Sequence, residues 1–169
     1  MVIDFEQTLT KSKEIIGFDG ETAEFLVFDK NNKITLEEID ARYSKALWTV
    51  VEVLNSRYKD KLEQEFNLYN WIEHNPSDEV SYFLNEASSN CMNYSKYKAV
   101  WKFAVYFGSR GFILSVLQQG KGFDSEKIFE ERIKSNEGAG FLFYEECSNK
   151  VFFDDPKNSK SIYYEYLLK

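Results

Sequence analysis

Two groups of residues in this chain combine side-chain type and spacing in a way that suits chemistry. Glu86 and Asn90 lie four positions apart in a segment with helical periodicity, so they project together from one flank of its apolar stripe. Two polar groups placed there either face a cleft at the edge of the core or form a pair that faces solvent. The stretch QQGKGFD, residues 118 to 124, sets two glycines around Lys121 directly after an alternating apolar run. This stretch is either a hairpin turn or a loop that cradles a phosphate group.

The first group depends on helices for its position. Apolar residues recur every three or four positions from the expected N-cap Thr35 to about Leu62, which predicts a long amphipathic helix. A shorter helical piece is expected at 64–74, and Ser77 is expected to cap the helix that carries the acidic and amide pair. The apolar stripe of that helix consists of Val80, Phe83, Leu84, Ala87 and Cys91.

The second group depends on strands. The period changes to two at residues 99–107 and 111–119, which predicts two strands joined by a hairpin turn at Gly108–Gly111. Beyond the glycine stretch, residues 124–137 are expected to form a short helix or a mobile loop, and another helix is expected at 142–150.

The two ends of the chain are expected to be strands. A last hairpin is predicted at 151–155 and 161–168, and residues 1–34 are expected to form an N-terminal hairpin extension, with two short strands within residues 14–29. The remainder, residues 35–169, would be one domain. This order of elements predicts an α+β fold: a two-layer sandwich with helices on one face of a mixed, mostly antiparallel sheet.

Composition narrows the classes of function. The 169 residues are 43% hydrophobic, which suits a single compact domain, and the formal net charge of -7 argues against a nucleic-acid partner. No basic and apolar leader opens the sequence and no apolar window reaches membrane-spanning length, so a cytoplasmic protein without a membrane partner is expected. The two cysteines lack metal-ligand spacing and are expected to be reduced core thiols.

Four features follow one another in an order that is more informative than any one of them. They are Glu86-x-x-x-Asn90 on a helix, Gln118-x-Gly120-x-Gly122-Phe123 after a strand, Gly138-Ala139-Gly140-Phe141 opening a helix, and a final strand pair. This order resembles the ATP-binding sandwich of the gyrase and histidine-kinase superfamily, called the Bergerat fold, and within it the anti-sigma-factor serine kinases. The resemblance covers about residues 35–169 and implies a histidine kinase-like ATPase domain.

The resemblance implies a role for each member of the helix pair. Asn90 would be the ligand of a magnesium ion that bridges the nucleotide phosphates, because a neutral amide oxygen suits a hard cation. Glu86, one turn earlier, would be the catalytic carboxylate that orients or deprotonates the attacking water or hydroxyl group.

The resemblance also implies that the glycine segments hold ATP. Gln118, Gly120, Lys121 and Gly122 would contact the adenine and the phosphates, since glycines allow close approach of the backbone. Gly138 and Gly140 would bind phosphate at a helix N-terminus, where free N–H groups and the dipole favour anions. Lys121 and Lys134 are the expected sources of positive charge.

Several positions depart from the family pattern. The family usually has aspartate at the position of Gln118; an amide still accepts the adenine hydrogen bond, at an expected loss of about 1 kcal/mol, or roughly five- to tenfold in affinity. Tyr94 stands where a histidine is common, Asn149-Lys150 replaces Asp-Glu, and NSKS at 158–161 replaces a glycine-threonine turn. These departures suit either a weakened enzyme or a domain that has lost turnover.

Several functions therefore remain open. The first is a signalling protein that binds Mg-ATP and either phosphorylates a serine or threonine of a small regulatory partner, sigma-like or anti-anti-sigma-like, or sequesters that partner. The second is a catalytically inactive binding module with the same fold. A histidine-kinase catalytic domain and an unrelated α+β domain whose glycines are only turns are further alternatives, and exposed aromatic residues leave a homodimer open.

Overall fold

A computed structural model describes residues 3–135 and 139–169 as a sheet with helices on both sides. In chain order the elements are α1 (Leu9–Ile16), β1 (Phe18–Leu26), α2 (Leu36–Arg57), α3 (Tyr69–Ile72), α4 (Glu79–Tyr94), β2 (Lys102–Gly108), β3 (Gly111–Leu117), α5 (Ser125–Ser135), α6 (Ala139–Glu146), β4 (Lys150–Phe153) and β5 (Ser161–Leu167).

The five strands form one sheet in the order β1-β2-β3-β5-β4, and all four neighbouring pairs are antiparallel. The predicted hairpins β2–β3 and β4–β5 are both present. β5 lies between β3 and β4, so the chain leaves the sheet after β3, passes through α5 and α6, and returns at the edge. The predicted α+β class with an antiparallel sheet is confirmed.

The larger core lies on one face of this sheet. Alternate strand residues such as Phe112, Leu114 and Val116 point toward α2, α4 and α6 and are buried. The α4 residue Phe83 is fully buried and its ring stacks on Tyr164 of β5 at 5.1 Å. α4 is thereby fixed against the sheet along the stripe that its periodicity predicted.

The N-terminal region differs from the predicted hairpin. Its first part is the helix α1, and only β1 is a strand, which pairs with β2 at the edge of the main sheet. α1 forms because the Thr8 side chain accepts a hydrogen bond from Lys11 N at 3.2 Å and because Gly17, with φ 65°, ends the helix in a left-handed conformation. The hairpin prediction at residues 1–34 is therefore wrong, and β1 belongs to the same sheet as the later strands.

The helix α1 covers the second face of the sheet, whereas the prediction placed the helices on one face only. Ile16 is fully buried there against Ile113, Phe152 and Tyr163, which alternate with residues of the larger core. The carboxylate of Glu165 is also buried on this side, where it accepts hydrogen bonds from Ser12 Oγ at 2.6 Å and Gln7 Nε2 at 3.0 Å.

Three predicted helix ends can be compared with the structure. Thr35 caps α2 in a full capping box with Glu38, as expected. α4 is capped by Asp78 rather than Ser77, because the Asp78 carboxylate accepts a hydrogen bond from Ser81 N at 3.0 Å. The helix expected at 64–74 is reduced to the four residues of α3. Among the described residues, no helix is both long enough and apolar enough to cross a membrane.

Candidate functional site

A cavity of about 660 Å³ opens between α4, α5, α6 and the adjoining ends of β3 and β5. Its volume lies within the range typical of small-molecule sites. Five of the residues predicted from sequence to act on a ligand lie in its wall: Glu86, Asn90, Gln118, Lys121 and Gly122.

α4 supplies Glu86 and Asn90 from the flank of its buried stripe. Both side chains are half-buried, so the cleft-facing alternative applies and the solvent-facing one does not. Glu86 forms no hydrogen bond or ion pair with the residues that the structure describes. Asn90 Nδ2 donates to the hydroxyl oxygen of Tyr144 at 3.2 Å, and this is its one side-chain bond within the described part of the chain.

Gln118 lies just beyond the end of β3, on the floor of the cavity. Its side chain is 8% exposed, and its backbone N–H donates to Lys160 O at 3.0 Å. Its side-chain Nε2 donates a hydrogen bond to Ser159 O at 3.4 Å. The carbonyl end of the Gln118 side chain is then the end available to accept a hydrogen bond from a ligand.

The glycine stretch is a loop and not a hairpin turn. β3 pairs with β5, and the loop is joined to the turn before β5 by a second contact, in which Phe123 N and Ser159 N each donate to the other's carbonyl oxygen at 3.1 and 2.7 Å. Ser125 Oγ, at the start of α5, adds a bond to Pro156 O at 2.9 Å. The loop is thus tied down on both sides of its glycines.

The glycines in this loop contact the protein itself. Gly120 has φ 101°, a conformation that favours glycine, and a Cβ there would lie 3.2 Å from Lys96 Cβ and Tyr97 Cε2. A Cβ on Gly122 would come within 2.9 Å of the carbonyl carbon of Asn158. The close approach that these glycines allow is therefore between segments of the chain.

The cavity wall is cationic although the protein is acidic. Lys96, Lys121, Arg132 and Lys160 line it, with Glu86 as the one carboxylate among the described lining residues, while the whole chain has net charge -7. The three lysines form no ion pair with described residues, and the Arg132 guanidinium lies 5.9 Å from the Tyr94 ring centroid. Such a concentration of positive charge favours an anionic ligand.

Two buried titratable side chains of the wall, Cys91 and Tyr144, have raised pKa values. Burial raises the pKa of the Cys91 thiol to about 12, so the thiol stays protonated near pH 7. Burial, and then the charge of Glu86, raise the pKa of Tyr144 well above its ordinary value. Tyr144 therefore stays protonated.

A second, smaller cavity of about 300 Å³ lies near the N-terminus of α4. Asp78 and Glu79, two acids of its wall, are committed to structural bonds. The Asp78 carboxylate accepts from Asn67 N and Ser81 Oγ, each at 2.8 Å, and the Glu79 carboxylate accepts from Ser148 N at 2.7 Å and from Tyr164 Oη at 3.1 Å. These bonds join α4 to neighbouring segments and leave the larger cavity as the stronger candidate.

The other predicted site residues are distributed as follows. Gly120 supports the loop behind Lys96, Gly140 lies in the first turn of α6, and Gly138 falls outside the described residues. Lys134 is exposed on α5 and is not part of the wall. No group of three or more histidine, cysteine, aspartate or glutamate residues that could hold a metal ion occurs within 3–135 and 139–169.

Sequence reasoning missed Lys96, Arg132, Tyr144 and Lys160. Each comes from a different segment, and no spacing connects them with the glycine stretch. One of them, Lys160, did have a signal in the sequence. It lies in the NSKS turn directly before β5, and the pairing of β5 with β3 brings this turn to the cavity.

Comparisons of this chain with protein-family models, with curated proteins and with solved structures found no match.

Proposed function

We propose that the large cavity binds ATP with magnesium, and that the protein is a regulatory protein of the anti-sigma-factor kinase type, which phosphorylates or sequesters a small protein partner. The observation that carries the proposal is the convergence of Glu86, Asn90 and Gln118, from two separate elements, on one cationic cavity. The cavity is large enough for a nucleotide-sized ligand.

Charge supports a phosphate-bearing ligand. Lysine and arginine side chains from four segments meet at the cavity in a chain of net charge -7. This positive charge would attract a triphosphate, and its base would meet Gln118 and the apolar wall formed by Val116, Phe153 and Ile162.

The residues of the wall fit a magnesium ion that is held mainly by phosphate. Mg²⁺ binds proteins through one or two oxygen ligands together with waters and substrate phosphates. Asn90 Oδ1 has no hydrogen-bond partner in the described part of the chain and would be such a ligand. The ion, when bound, would neutralise charge on the phosphates.

Glu86 would serve the reaction through its position beside Asn90. Its carboxylate lines the cavity without a hydrogen bond or ion pair to described residues, so it is available to accept a proton or orient a hydroxyl group. A serine or threonine side chain of a partner protein would be the acceptor of the phosphoryl group.

A specific observation favours a second function, a nucleotide-free binding module. Gly120 and Gly122 pack against Lys96, Tyr97 and Asn158, so their lack of side chains is explained by contacts within the chain. The loop would then stabilise the fold, and the protein would bind a partner without catalysing a reaction.

Calorimetric titration with ATP and ADP, with and without magnesium, separates these functions. We expect micromolar, magnesium-dependent binding that Asn90→Ala weakens at least tenfold, while Asn93→Ala, an exposed residue of the same wall, has little effect. Lys160→Gln should weaken ATP binding about two- to fivefold, as expected for an exposed charge, and the off-site control Lys134→Gln should not. No binding at millimolar nucleotide by folded protein would contradict the proposal.

A further inference from the structure

Tyr144 of α6 holds the amide of Asn90 from outside α4. The two residues are 54 positions apart, and Asn90 Nδ2 donates to the Tyr144 hydroxyl oxygen at 3.2 Å. The Tyr144 side chain is fully buried, with its ring centroid 6.2 Å from that of Phe83 and 5.8 Å from that of Phe143. Packing therefore fixes the position of the hydroxyl group at the cavity wall.

The direction of this hydrogen bond follows from the two atoms that it joins. A phenol can either donate or accept, and an asparagine amide can present either its NH₂ or its carbonyl end. Here the Nδ2 end of Asn90 faces the Tyr144 hydroxyl oxygen. Because an NH₂ group can only donate, the hydroxyl oxygen is the acceptor of this hydrogen bond.

We infer that Tyr144 is a positioning residue that fixes which end of the Asn90 amide is offered to a ligand, and thereby makes the cavity selective for metal-bound over metal-free nucleotide. This inference rests on the proposed function. With Nδ2 engaged by Tyr144, Oδ1 is the free end, and an amide oxygen is a ligand for a hard cation whereas an NH₂ group is not. Without the hydroxyl, the amide would be free to turn over, and the preference for the metal complex would fall.

The variant Tyr144→Phe removes the hydroxyl and keeps the buried ring. Tyr164→Phe is a matched control: Tyr164 is also fully buried, its ring stacks on the same Phe83 at 5.1 Å, and its hydroxyl bonds Glu79 at 3.1 Å, but it does not line the cavity. Each variant therefore loses one hydroxyl group from a fully buried tyrosine ring.

Calorimetry with ATP in excess magnesium and with ATP in EDTA tests the inference. Tyr144→Phe should weaken binding of Mg-ATP about five- to tenfold, the loss expected for one positioning hydrogen bond, and leave metal-free ATP unchanged. Tyr164→Phe should change neither affinity. Equal weakening of both forms of ATP by Tyr144→Phe, or unchanged binding of both, would overturn the inference while the proposed function stands.

A measurement on the ligand-free protein separates the inference from the proposed function. In NMR spectra, the Asn90 side-chain NH₂ should exchange slowly with solvent in the wild type and in Tyr164→Phe, and quickly in Tyr144→Phe. Equally fast exchange in all three proteins would overturn the inference. A wild-type protein that binds no nucleotide would overturn the proposed function, and with it the assigned selectivity.

Discussion

At the residue scale, Lys96 and Gly120 show how a backbone conformation positions a charged side chain of the cavity wall. Gly120 has a positive φ of 101°. The aliphatic part of the Lys96 side chain lies so close to Gly120 that it would contact a Cβ at that position. The Lys96 Nζ lies 5.4 Å from the Tyr97 ring centroid. A lysine that is packed along its stem keeps its charge near the cavity rather than spread over the surface.

Substitution of Gly120 by alanine should be costly for two reasons that can be separated. Gly120→Ala introduces backbone strain and also pushes against Lys96 and Tyr97, and we expect a loss of about 2–3 kcal/mol in the free energy of unfolding. Gly20→Ala is the control, because Gly20 has a similar φ of 92° but open space around it, and should lose only about 1–2 kcal/mol. Urea denaturation measures both; equal losses would contradict a role for the Lys96 contact.

The sequence was sufficient to find some residues of the cavity and not others. Glu86 and Asn90 were predictable because helical spacing sets their direction relative to an apolar stripe. Tyr144 was not, because its bond to Asn90 joins positions 54 apart and depends on how α6 packs against α4. Long-range side-chain contacts of this kind leave no local pattern.

At the scale of elements, α1 is the part of the structure that the sequence predicted least well. The sequence predicts Ile15 and Ile16 within a strand, whereas the two isoleucines end a helix that Gly17 terminates. β-branched residues favour strands only on average, and here the Thr8 cap and burial of one isoleucine decide for a helix. The β2–β3 hairpin, with two apolar strand segments joined by a glycine turn, was predictable.

The docking of α1 on the second face of the sheet can be tested with two adjacent isoleucines. Ile16→Ala removes a fully buried side chain that contacts Ile113 and Phe152, and should lower the free energy of unfolding by about 2–4 kcal/mol. Ile15→Ala, one position earlier and 38% exposed, should cost less than about 1 kcal/mol. Thermal or urea denaturation compares them, and a reversed order would show that α1 packs through its other side.

At the scale of the whole molecule, the uneven distribution of charge is the main support for the proposed nucleotide site. An acidic protein repels nucleotides over most of its surface, so the four cations of the cavity wall create a local exception. They come from α5, from the loops beside α4 and β3, and from the turn before β5, and only the closed fold brings them together. Net charge alone predicted the absence of a nucleic-acid surface but gave no sign of this cavity.

The most direct test of the nucleotide site is a map of the residues that respond to the ligand. In a titration of ¹⁵N-labelled protein with Mg-ATP, we predict that the backbone resonances of residues 118–122 and the side-chain resonances of Asn90 shift together with one affinity. Ser12 and Glu165, on the opposite face of the sheet, should not respond. Shifts confined to the smaller cavity around Asp78 and Ser148, or no shifts at millimolar Mg-ATP, would contradict a nucleotide site between α4 and the glycine loop.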